Sequence, residues 1–496
     1  MVVTSAVAHP VLQEELEPAA ALLQARMAGP LLKSTQALAR FTYFFYFHSI
    51  PPIILGVAFL ALKRDYLFKN RVFDYNTPEA LHWTRPEPCT EYCDSCNPME
   101  VRFRTFDGHC NSLNPNLTGM GMSNHRFSHS ALYPENASVP GLWEPNPYDV
   151  AEKLLKTPEG KERATAPDFS MFLSLWINLQ LHDWSFHEVS NDSSWKLQYG
   201  PGKDDTFVLR KSYFDEGGHC INTETPWWDC GQIYGTTAER AGSLRLDGGG
   251  CEMRLDRDGL MPLGSDGLPE SGMVKNWWAG VESMHLLFVK EHNYLCEQLR
   301  KENSTFNEEE LYQTARLIVA ALNGHIHTME WTPALLNNEV LNTTLRGNWD
   351  GLTQAFIDHE MNSLKHSYVP VEITKAIGKL IEKSAPYTKG VGHVTDISGV
   401  PYSFPEDHTS AYRMHPLLPD QYTFAGDKVE ASNMVNQHAR DVIKKYGISA
   451  MLDAFGHQAP TTLTIHNYPD FLTKVDIPGA GLSCFLRPFP VCSSPA

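Results

Sequence analysis

Residues 411–420 of this 496-residue chain read Ala-Tyr-Arg-Met-His-Pro-Leu-Leu-Pro-Asp. Tyr412 precedes His415 by three residues, a spacing that places both side chains on one face of a helical turn. If His415 bound a metal or a haem iron, the Tyr412 phenol would lie close to the cofactor, an arrangement suited to making a tyrosyl radical. Spacing alone favours a simpler alternative, in which both side chains pack in a core helix that ends at Pro416.

The complete string carries more information than the spacing. Tyr-x-x-His-Pro-Leu-Leu-Pro-Asp resembles the proximal motif of the peroxidase-cyclooxygenase superfamily of haem proteins, and Tyr-Arg-Met-His resembles its fatty acid α-dioxygenase branch. This resemblance implies that His415 is the axial ligand of haem b and that Tyr412 is the catalytic radical residue. It also implies a mainly α, haem peroxidase/cyclooxygenase-like helical fold with minor β structure and long loops.

Composition limits the functional classes open to the chain. At 496 residues, with 42% hydrophobic and 20% charged residues, it is long enough for a sizeable core and is neither disordered nor fibrous. The formal charge of −17 argues against nucleic acid as a partner, because a duplex binder needs a basic surface to release phosphate counterions. It also provides no general attraction to anionic lipid.

Two regions are predicted: an N-terminal region, residues 1–75, and a haem peroxidase-like catalytic domain, residues 86–496. The first thirty residues lack the basic start and apolar run of a secretory signal. Residues 41–62 are uncharged with histidine neutral and long enough to span a bilayer, but Pro51-Pro52 divides them into two short pieces. The clustered aromatic residues favour a monotopic membrane contact, and two buried helices are the alternative. The predicted location is therefore membrane-associated or cytoplasmic.

The ten cysteines form one tight cluster, Cys89, Cys93 and Cys96. The cluster is compatible with a zinc knuckle that lacks one ligand, with a disulfide framework that includes Cys110, or with three separate thiols. Zinc ranks last, because no second Cys/His pair follows at finger-like spacing. The surrounding residues 86–147 are rich in Pro, Asn, Ser and Gly, which predicts a segment built of loops. Within it, residues 103–111 resemble a string near the start of animal-type haem peroxidase domains.

A helical pattern begins at about Asp168 and ends in His182-Asp183-Trp184. Its apolar positions form one stripe: Phe172, Leu175, Trp176 and Leu179. At about 100° per residue, Asp183 falls near the middle of this stripe and His182 at its edge. A buried carboxylate is costly unless it is hydrogen-bonded, paired with a charge or bound to a metal.

His-Asp-Trp on such a helix resembles the distal site of the α-dioxygenases. The resemblance implies that His182 is a catalytic residue, the proton acceptor for peroxide, and that Asp183 is a calcium ligand. The family usually has glutamine four residues before the distal histidine, where this chain has Asn178. Asn178 keeps the amide in the predicted distal pocket on a shorter arm, which changes its reach.

Calcium takes about six to eight oxygen ligands, more than Asp183 supplies. The family provides others from a loop at alternate positions, which correspond here to Thr225, Trp227 through its carbonyl, Asp229 and Gly231. Because Gly231 has no hydroxyl, a carbonyl or a water would replace that ligand, and we expect a weaker affinity. Apart from the resemblance, Thr-Pro-Trp-Trp-Asp is typical of an aromatic-rich turn.

A further helix is predicted to begin at a capping box of Asn307 and Glu310. It continues to His325 and His327, which diverge by about 200° on a helix and so cannot share a cation. Ile-His-Thr-x-x-Trp-Thr resembles the α-dioxygenase segment that binds the fatty acid carboxylate, which implies that role for His327 and Thr332. A packed core histidine and an ordinary helical threonine are the alternatives.

The resemblance extends over several motifs in the family's order, from about residue 47 to Pro469. It implies that a hydroperoxide activates the haem, that Tyr412 removes a hydrogen from the α-carbon of a fatty acid, and that O2 adds there. Full-length relatives continue with arginines for the haem and the substrate, whereas Arg487 is the only arginine beyond Pro469, so we expect a C-terminally truncated domain. The alternatives are a haem peroxidase of small donors and a truncated, non-catalytic, membrane-associated paralogue.

Overall fold

The structure is a computed structural model. It describes residues 102–111, 145–186, 189–199, 205–212, 221–225, 227–274, 277–337, 341–342, 345, 412 and 414–473. Almost all of them belong to one compact unit, formed by residues 71–336 and 394–496. The apolar segment 41–62 and the cluster of Cys89, Cys93 and Cys96 lie outside the described residues. Within the described part of the chain, no helix has the length and apolar character needed to cross a bilayer.

Helices dominate the described residues, in agreement with the predicted mainly α class. The longer ones are α1 (Phe172–Trp184), α2 (Ala279–Glu302), α3 (Glu308–His325), α4 (His438–Tyr446) and α5 (Ile448–His457). Short α, 3₁₀ and π segments lie before, between and after these helices: Pro147–Val150, Ala151–Leu155, Gly231–Tyr234, Ala238–Leu244, Leu246–Gly248, Ile326–Trp331, Thr332–Leu335, His415–Leu417, Ala431–Met434 and Asp470–Thr473.

Two antiparallel hairpins make up the regular β structure of the described residues: β1 (Val189–Tyr199) with β2 (Asp205–Ser212), and β3 (Gln421–Phe424) with β4 (Asp427–Glu430). Helix α4 begins only at His438, after the second hairpin. The hairpin closes through the two-residue turn at Ala425 and Gly426, whose φ angles of 50° and 89° match the twist of a tight hairpin.

Helix α2 lies at the centre of the core and packs against α1, α3 and α4. Its first turn approaches α1 closely because residue 280 is glycine: a Cβ there would collide with Leu175 and with the indole of Trp278. Leu175 and Leu179 of α1 are fully buried, and burial of one such side chain contributes about 1.5–3 kcal/mol to folding. This close contact fixes the helix that carries His182 and Asp183.

Helix α3 begins at the predicted capping box: Asn307 Oδ1 accepts from the Glu310 amide, and Glu310 accepts from the Asn307 amide. It continues into the π-helical turn Ile326–Trp331. A disulfide that the sequence analysis did not foresee joins Cys251 to Cys296 on α2. Cys110 is also disulfide-bonded.

Candidate functional site

The end of α1 places His182 and Asp183 in the core, as the apolar stripe predicted. His182 is 4% exposed and Asp183 is 1% exposed. Burial lowers the pKa of His182 to about 4, so its imidazole is neutral at physiological pH. Neither ring nitrogen of His182 has a hydrogen-bond partner among the described residues. A neutral imidazole with both nitrogens left unpaired in the core is suited to bind or accept a proton from a ligand.

A second buried histidine, which the sequence analysis missed, lies next to His182. The ring of His285 on α2 meets the His182 ring edge to face, with the centroids 6.2 Å apart. Ser271 Oγ donates to the Gln232 carbonyl at 3.0 Å, so it accepts from His285 Nδ1–H at 2.7 Å. His285 therefore presents an unprotonated Nε2. This nitrogen has no hydrogen-bond partner among the described residues, and the side-chain amide of Gln232 also has none there. The helical spacing of His285 resembles that of any core residue, which is why periodicity did not reveal it.

Asn178 lies one turn before His182 on α1. Its Oδ1 accepts from Trp278 Nε1 at 2.7 Å. The amide oxygen of Asn178 is thus occupied by the neighbouring indole.

The proximal stretch differs locally from the prediction. His415 begins a 3₁₀ helix that ends at Leu417, and Met414 before it has φ −102° and ψ 32°, outside the helical region. Tyr412 and His415 therefore do not share one regular helical turn, and the alternative helix that ends at Pro416 is also wrong. Pro416 occupies the first turn of the 3₁₀ helix, where a missing N–H leaves no hydrogen bond unmade.

Arg163 holds the chain that follows His415. Its side chain is 8% exposed. The guanidinium donates to five acceptors: Pro416 O at 2.7 Å, Leu418 O at 2.6 Å, Thr461 Oγ1 at 2.8 Å, Asn467 O at 2.7 Å and Asp420 Oδ2 at 3.2 Å. Arg163 therefore fixes the position of the segment that carries the predicted axial ligand. No local sequence signal marked it, because all five acceptors lie more than 250 residues away.

The rings of Tyr412 and His327 both contact the ring of Trp184. The Tyr412 ring meets the Trp184 ring edge to face at 5.9 Å, and the His327 ring meets Trp184 in the same manner at 5.3 Å. Trp228 and Trp331 also contact the His327 ring, at 4.9 Å and 5.0 Å. The structure thus gathers the predicted radical residue and the predicted carboxylate-binding histidine around one aromatic wall.

The proton of His327 is located by its neighbours. Trp176 Nε1–H donates to His327 Nδ1 at 3.1 Å, so the neutral ring carries its proton on Nε2. Burial lowers the pKa of His327 to about 4, which keeps the ring neutral. His327 can therefore offer a carboxylate one N–H donor without a full positive charge. Thr332 lies nearby, but its hydroxyl donates to the His327 carbonyl at 2.7 Å, as expected for an ordinary helical threonine.

The predicted calcium ligands come together below the end of α1. Asp183 Oδ1 accepts from the Gly231 amide at 2.7 Å, and Thr225 Oγ1 donates to Asp229 Oδ2 at 3.0 Å. Arg104 links Trp227 to Asp229: its Nη2 donates to the Trp227 carbonyl at 2.8 Å and lies 2.6 Å from Asp229 Oδ1.

The backbone around these carboxylates is strained. Arg104, Trp228 and Cys230 have φ angles of 67°, 59° and 58°, in the left-handed region that side chains disfavour at a cost of about 1–3 kcal/mol each. Burial, and next the negative charge of Asp229, raise the pKa of Asp183 well above its ordinary value. Strain and desolvated carboxylates concentrated in one place are typical of a binding site.

The residues present fit both groups that the resemblance implies. For haem, the fitting feature is the buried His182 with two unpaired ring nitrogens, together with His415 as a second histidine. For calcium, it is the set of buried oxygens, in which Asp183 Oδ2 has no hydrogen-bond partner among the described residues. Hard oxygen ligands of this kind suit calcium.

Comparison with known proteins defines the class. Residues 103–479 match the animal haem peroxidase family, and the chain belongs to that family. Membership implies a haem cofactor and confirms the predicted superfamily and fold.

Within this class, the proteins similar to this chain include several plant α-dioxygenases. The chain is 29% identical to α-dioxygenase 2 of Arabidopsis thaliana over 86% of its length, and 31% identical to α-dioxygenase PIOX of Nicotiana tabacum over 84%. It covers 65% and 63% of those two proteins. The crystal structure of the Arabidopsis thaliana fatty acid α-dioxygenase superposes with a TM-score of 0.68 at 26% identity, over 93% of this chain and 70% of that one. The crystal structure of an Oryza sativa fatty acid α-dioxygenase variant with palmitic acid superposes with a TM-score of 0.67 at 25% identity. The match covers 88% of this chain and 69% of that one.

Proposed function

We propose that this chain is a haem-dependent fatty acid α-dioxygenase that forms 2-hydroperoxy fatty acids. The observation that carries this proposal is the common contact of Tyr412 and His327 with Trp184. The α-carbon of a fatty acid is bonded directly to its carboxylate. If His327 binds the carboxylate, the nearby Tyr412 phenol would therefore reach the α-carbon before any other carbon of the fatty acid. The similarity to plant α-dioxygenases, one of them crystallised with palmitic acid, supports the same substrate class.

His415 would hold the haem, and haem, when bound, supplies the one-electron oxidising power that the protein's own groups lack. His182 has the properties of the group that activates a hydroperoxide. Its neutral ring can take the proton of the hydroperoxide, and its burial excludes water that would compete for that position. The buried Gln232 amide, whose backbone carbonyl binds Ser271 beside His285, and Asn178, one turn before His182, would shape the distal pocket.

The substrate would be fixed at its carboxylate. His327 donates its Nε2–H, and the indole of Trp176 holds the ring in that tautomer. Thr332 would join by turning its hydroxyl away from the His327 carbonyl, to which it is bonded in this structure. Tryptophan rings around the half-buried His327 reduce its access to water, which strengthens a hydrogen bond to a carboxylate.

Tyr412 would both remove a hydrogen atom from the substrate and return one to the product. Its phenoxyl radical takes one hydrogen atom from the α-carbon and becomes the phenol, leaving a carbon radical. O2 adds to that radical, and the resulting peroxyl radical takes the hydrogen atom back from the Tyr412 phenol. The product is a 2-hydroperoxy fatty acid, and Tyr412 is a radical again and ready for the next substrate.

Calcium is part of the same proposal. The ion would be bound by side-chain and backbone groups of the loop and the end of α1: Asp183, Thr225, the Trp227 carbonyl, Asp229 and the Gly231 backbone. The role of calcium would be structural, because Asp183 directly follows His182 and an ion bound there would hold the distal histidine in place.

The proposal is tested with purified chain reconstituted with haem. A Soret band should form and should be lost in His415→Ala but not in His457→Ala, since His457 has an 80% exposed side chain. Palmitate should drive oxygen uptake that Tyr412→Phe abolishes, whereas Tyr294→Phe, on an exposed side chain, retains it. Haem binding with oxidation of small donors but no uptake would indicate a peroxidase, and no specific haem binding would indicate a non-catalytic scaffold.

A separate part of the proposal concerns residues 41–62, which would make a peripheral membrane contact. The chain should sediment with neutral lipid vesicles, and deletion of residues 41–62 should abolish that binding while the Soret band is retained. Equal sedimentation of the deletion variant would contradict the membrane contact.

A further inference from the structure

Glycine at position 231 leaves space that a carboxylate occupies. Gly231 begins the short helix Gly231–Tyr234, and a Cβ at this position would lie 3.1 Å from Glu224 Oε2 and 3.7 Å from Asp183 Oδ1. The φ angle of Gly231 is not positive, so the backbone conformation does not require glycine here. The Glu224 carboxylate and the methyl group of Thr236, which would lie 3.2 Å from the same Cβ, together leave little room for a side chain at residue 231.

Glu224 is held near Asp183 by the end of α1. Asn222 Nδ2 donates to the Trp184 carbonyl at 2.9 Å, and Asn222 Oδ1 accepts from the amides of Phe186 at 2.9 Å and Glu224 at 3.2 Å. These bonds tie residues 222–224 to the chain that directly follows His182 and Asp183. With 7% exposure, the Glu224 side chain is buried at that position.

An independent observation at Asp183 indicates a cation. Asp183 is 1% exposed, and its Oδ2 has no hydrogen-bond partner among the described residues. Two buried carboxylates, from Asp183 and Glu224, thus approach the same side of Gly231. Two carboxylates brought together in the core favour a bound cation, because their charges repel each other where little water screens them, and the nearby Arg104 is engaged by Asp229 and the Trp227 carbonyl.

We propose that Glu224 is a ligand of the calcium site, occupying the place that a side chain at residue 231 would otherwise take. This inference rests on the calcium site proposed above and extends it by one residue. It also reverses the expectation from the sequence alone, in which Gly231 weakens the site. A carboxylate in place of a neutral hydroxyl brings a negative charge and one or two ligand oxygens instead of one, and ligand charge is a main determinant of calcium affinity.

The test uses terbium bound to the purified full chain, with luminescence sensitised by the tryptophans of the loop and competed by calcium. Glu224→Gln keeps the size of the side chain but removes its charge. We expect its calcium affinity to fall by at least about tenfold, the range known for groups that support a metal site. The matched control is Glu239→Gln, at an exposed position in the first turn of Ala238–Leu244, and it should bind as the unmodified chain does.

A second readout is thermal unfolding without haem or substrate. Calcium should raise the melting temperature of the unmodified chain, and this rise should shrink in Glu224→Gln. Gly231→Ala keeps every proposed ligand side chain chemically unchanged. Its methyl group would lie 3.1 Å from Glu224 Oε2 and crowd that atom, so its calcium affinity should also fall. This variant decides the matter if Glu224→Gln does not fold.

Failure of the two proposals can be distinguished. If the unmodified chain binds neither terbium nor calcium, the calcium site itself is wrong, and the role of Glu224 falls with it. If the unmodified chain binds calcium and Asp183→Asn loses it, while Glu224→Gln and Gly231→Ala bind normally, only the assignment of Glu224 is overturned.

Discussion

Arg163→Met should release the segment that carries His415. Methionine keeps much of the side-chain length of Arg163 but none of its donors, so carbonyls of Pro416, Leu418 and Asn467 lose a charged partner. Hydrogen bonds to charged groups contribute about 1.5–3 kcal/mol each and are not additive within one side chain. Loss of one partner from a buried ionic group costs about 3–5 kcal/mol, and we expect a loss of about 4 kcal/mol for Arg163→Met.

In a domain of this size, that loss corresponds to a melting temperature lower by roughly 5 °C. Differential scanning calorimetry measures the shift, and haem titration followed at the Soret band measures the effect on His415. We expect weaker haem binding in Arg163→Met than in the unmodified chain, because the segment after His415 is no longer fixed.

Two further variants sharpen the test. Arg163→Lys keeps the charge but cannot reach five acceptors at once, so its melting temperature should lie between those of the unmodified chain and Arg163→Met. Arg254→Met is the matched control: Arg254 pairs with Glu270 and is 35% exposed, so its loss should cost at most about 1 kcal/mol. If Arg163→Met melts and binds haem as Arg254→Met does, Arg163 does not hold the proximal segment.

Other predictions address separate features. Trp176→Phe removes the donor to His327 Nδ1, a bond worth about 1 kcal/mol, and should raise the KM for palmitate roughly fivefold in oxygen-uptake assays with little change in kcat. Burial lowers the pKa of His292 to about 4, so the unfolded chain binds a proton between pH 6.5 and 4 that the folded chain does not. Stability is therefore fully present above pH 6.5 and should fall by about 3 kcal/mol by pH 4 from this group alone, as measured by urea unfolding. Cys251→Ser opens a 45-residue loop closed by Cys296 and should cost about 4 kcal/mol in the same assay, and an unchanged midpoint would contradict it.

Local sequence patterns were sufficient where the structure depends on neighbours in the chain. The periodicity around Leu175 and Leu179 predicted that His182 and Asp183 would be buried, and the capping box at Asn307 predicted the start of α3. Both patterns are local: the apolar positions that predict burial lie within one helix, and the two capping residues lie three positions apart. Family motifs added the roles proposed for Tyr412 and His415, which periodicity could not supply.

Features that depend on distant residues were missed. Arg163 has no local pattern, since its acceptors are brought to it by the fold. The strand Val189–Tyr199 is too polar to show a clear alternation, and it is stabilised by pairing with Asp205–Ser212. Glu224 was passed over because the motif placed ligands at alternate positions, and only the contact with Gly231 brings its carboxylate to the same place.

The contacts of Arg163 also bear on the order in which the protein can form. Its partners Pro416 and Asn467 lie 253 and 304 residues further along the chain. Contacts of such long range form slowly, because a large loop must close before any of them is made. During synthesis Arg163 leaves the ribosome long before these partners do, so the helices around His182 can fold while the proximal side is still absent. If His182 and His415 bind haem as proposed, the two sides of that pocket are completed at different times, and the side of His415 comes last.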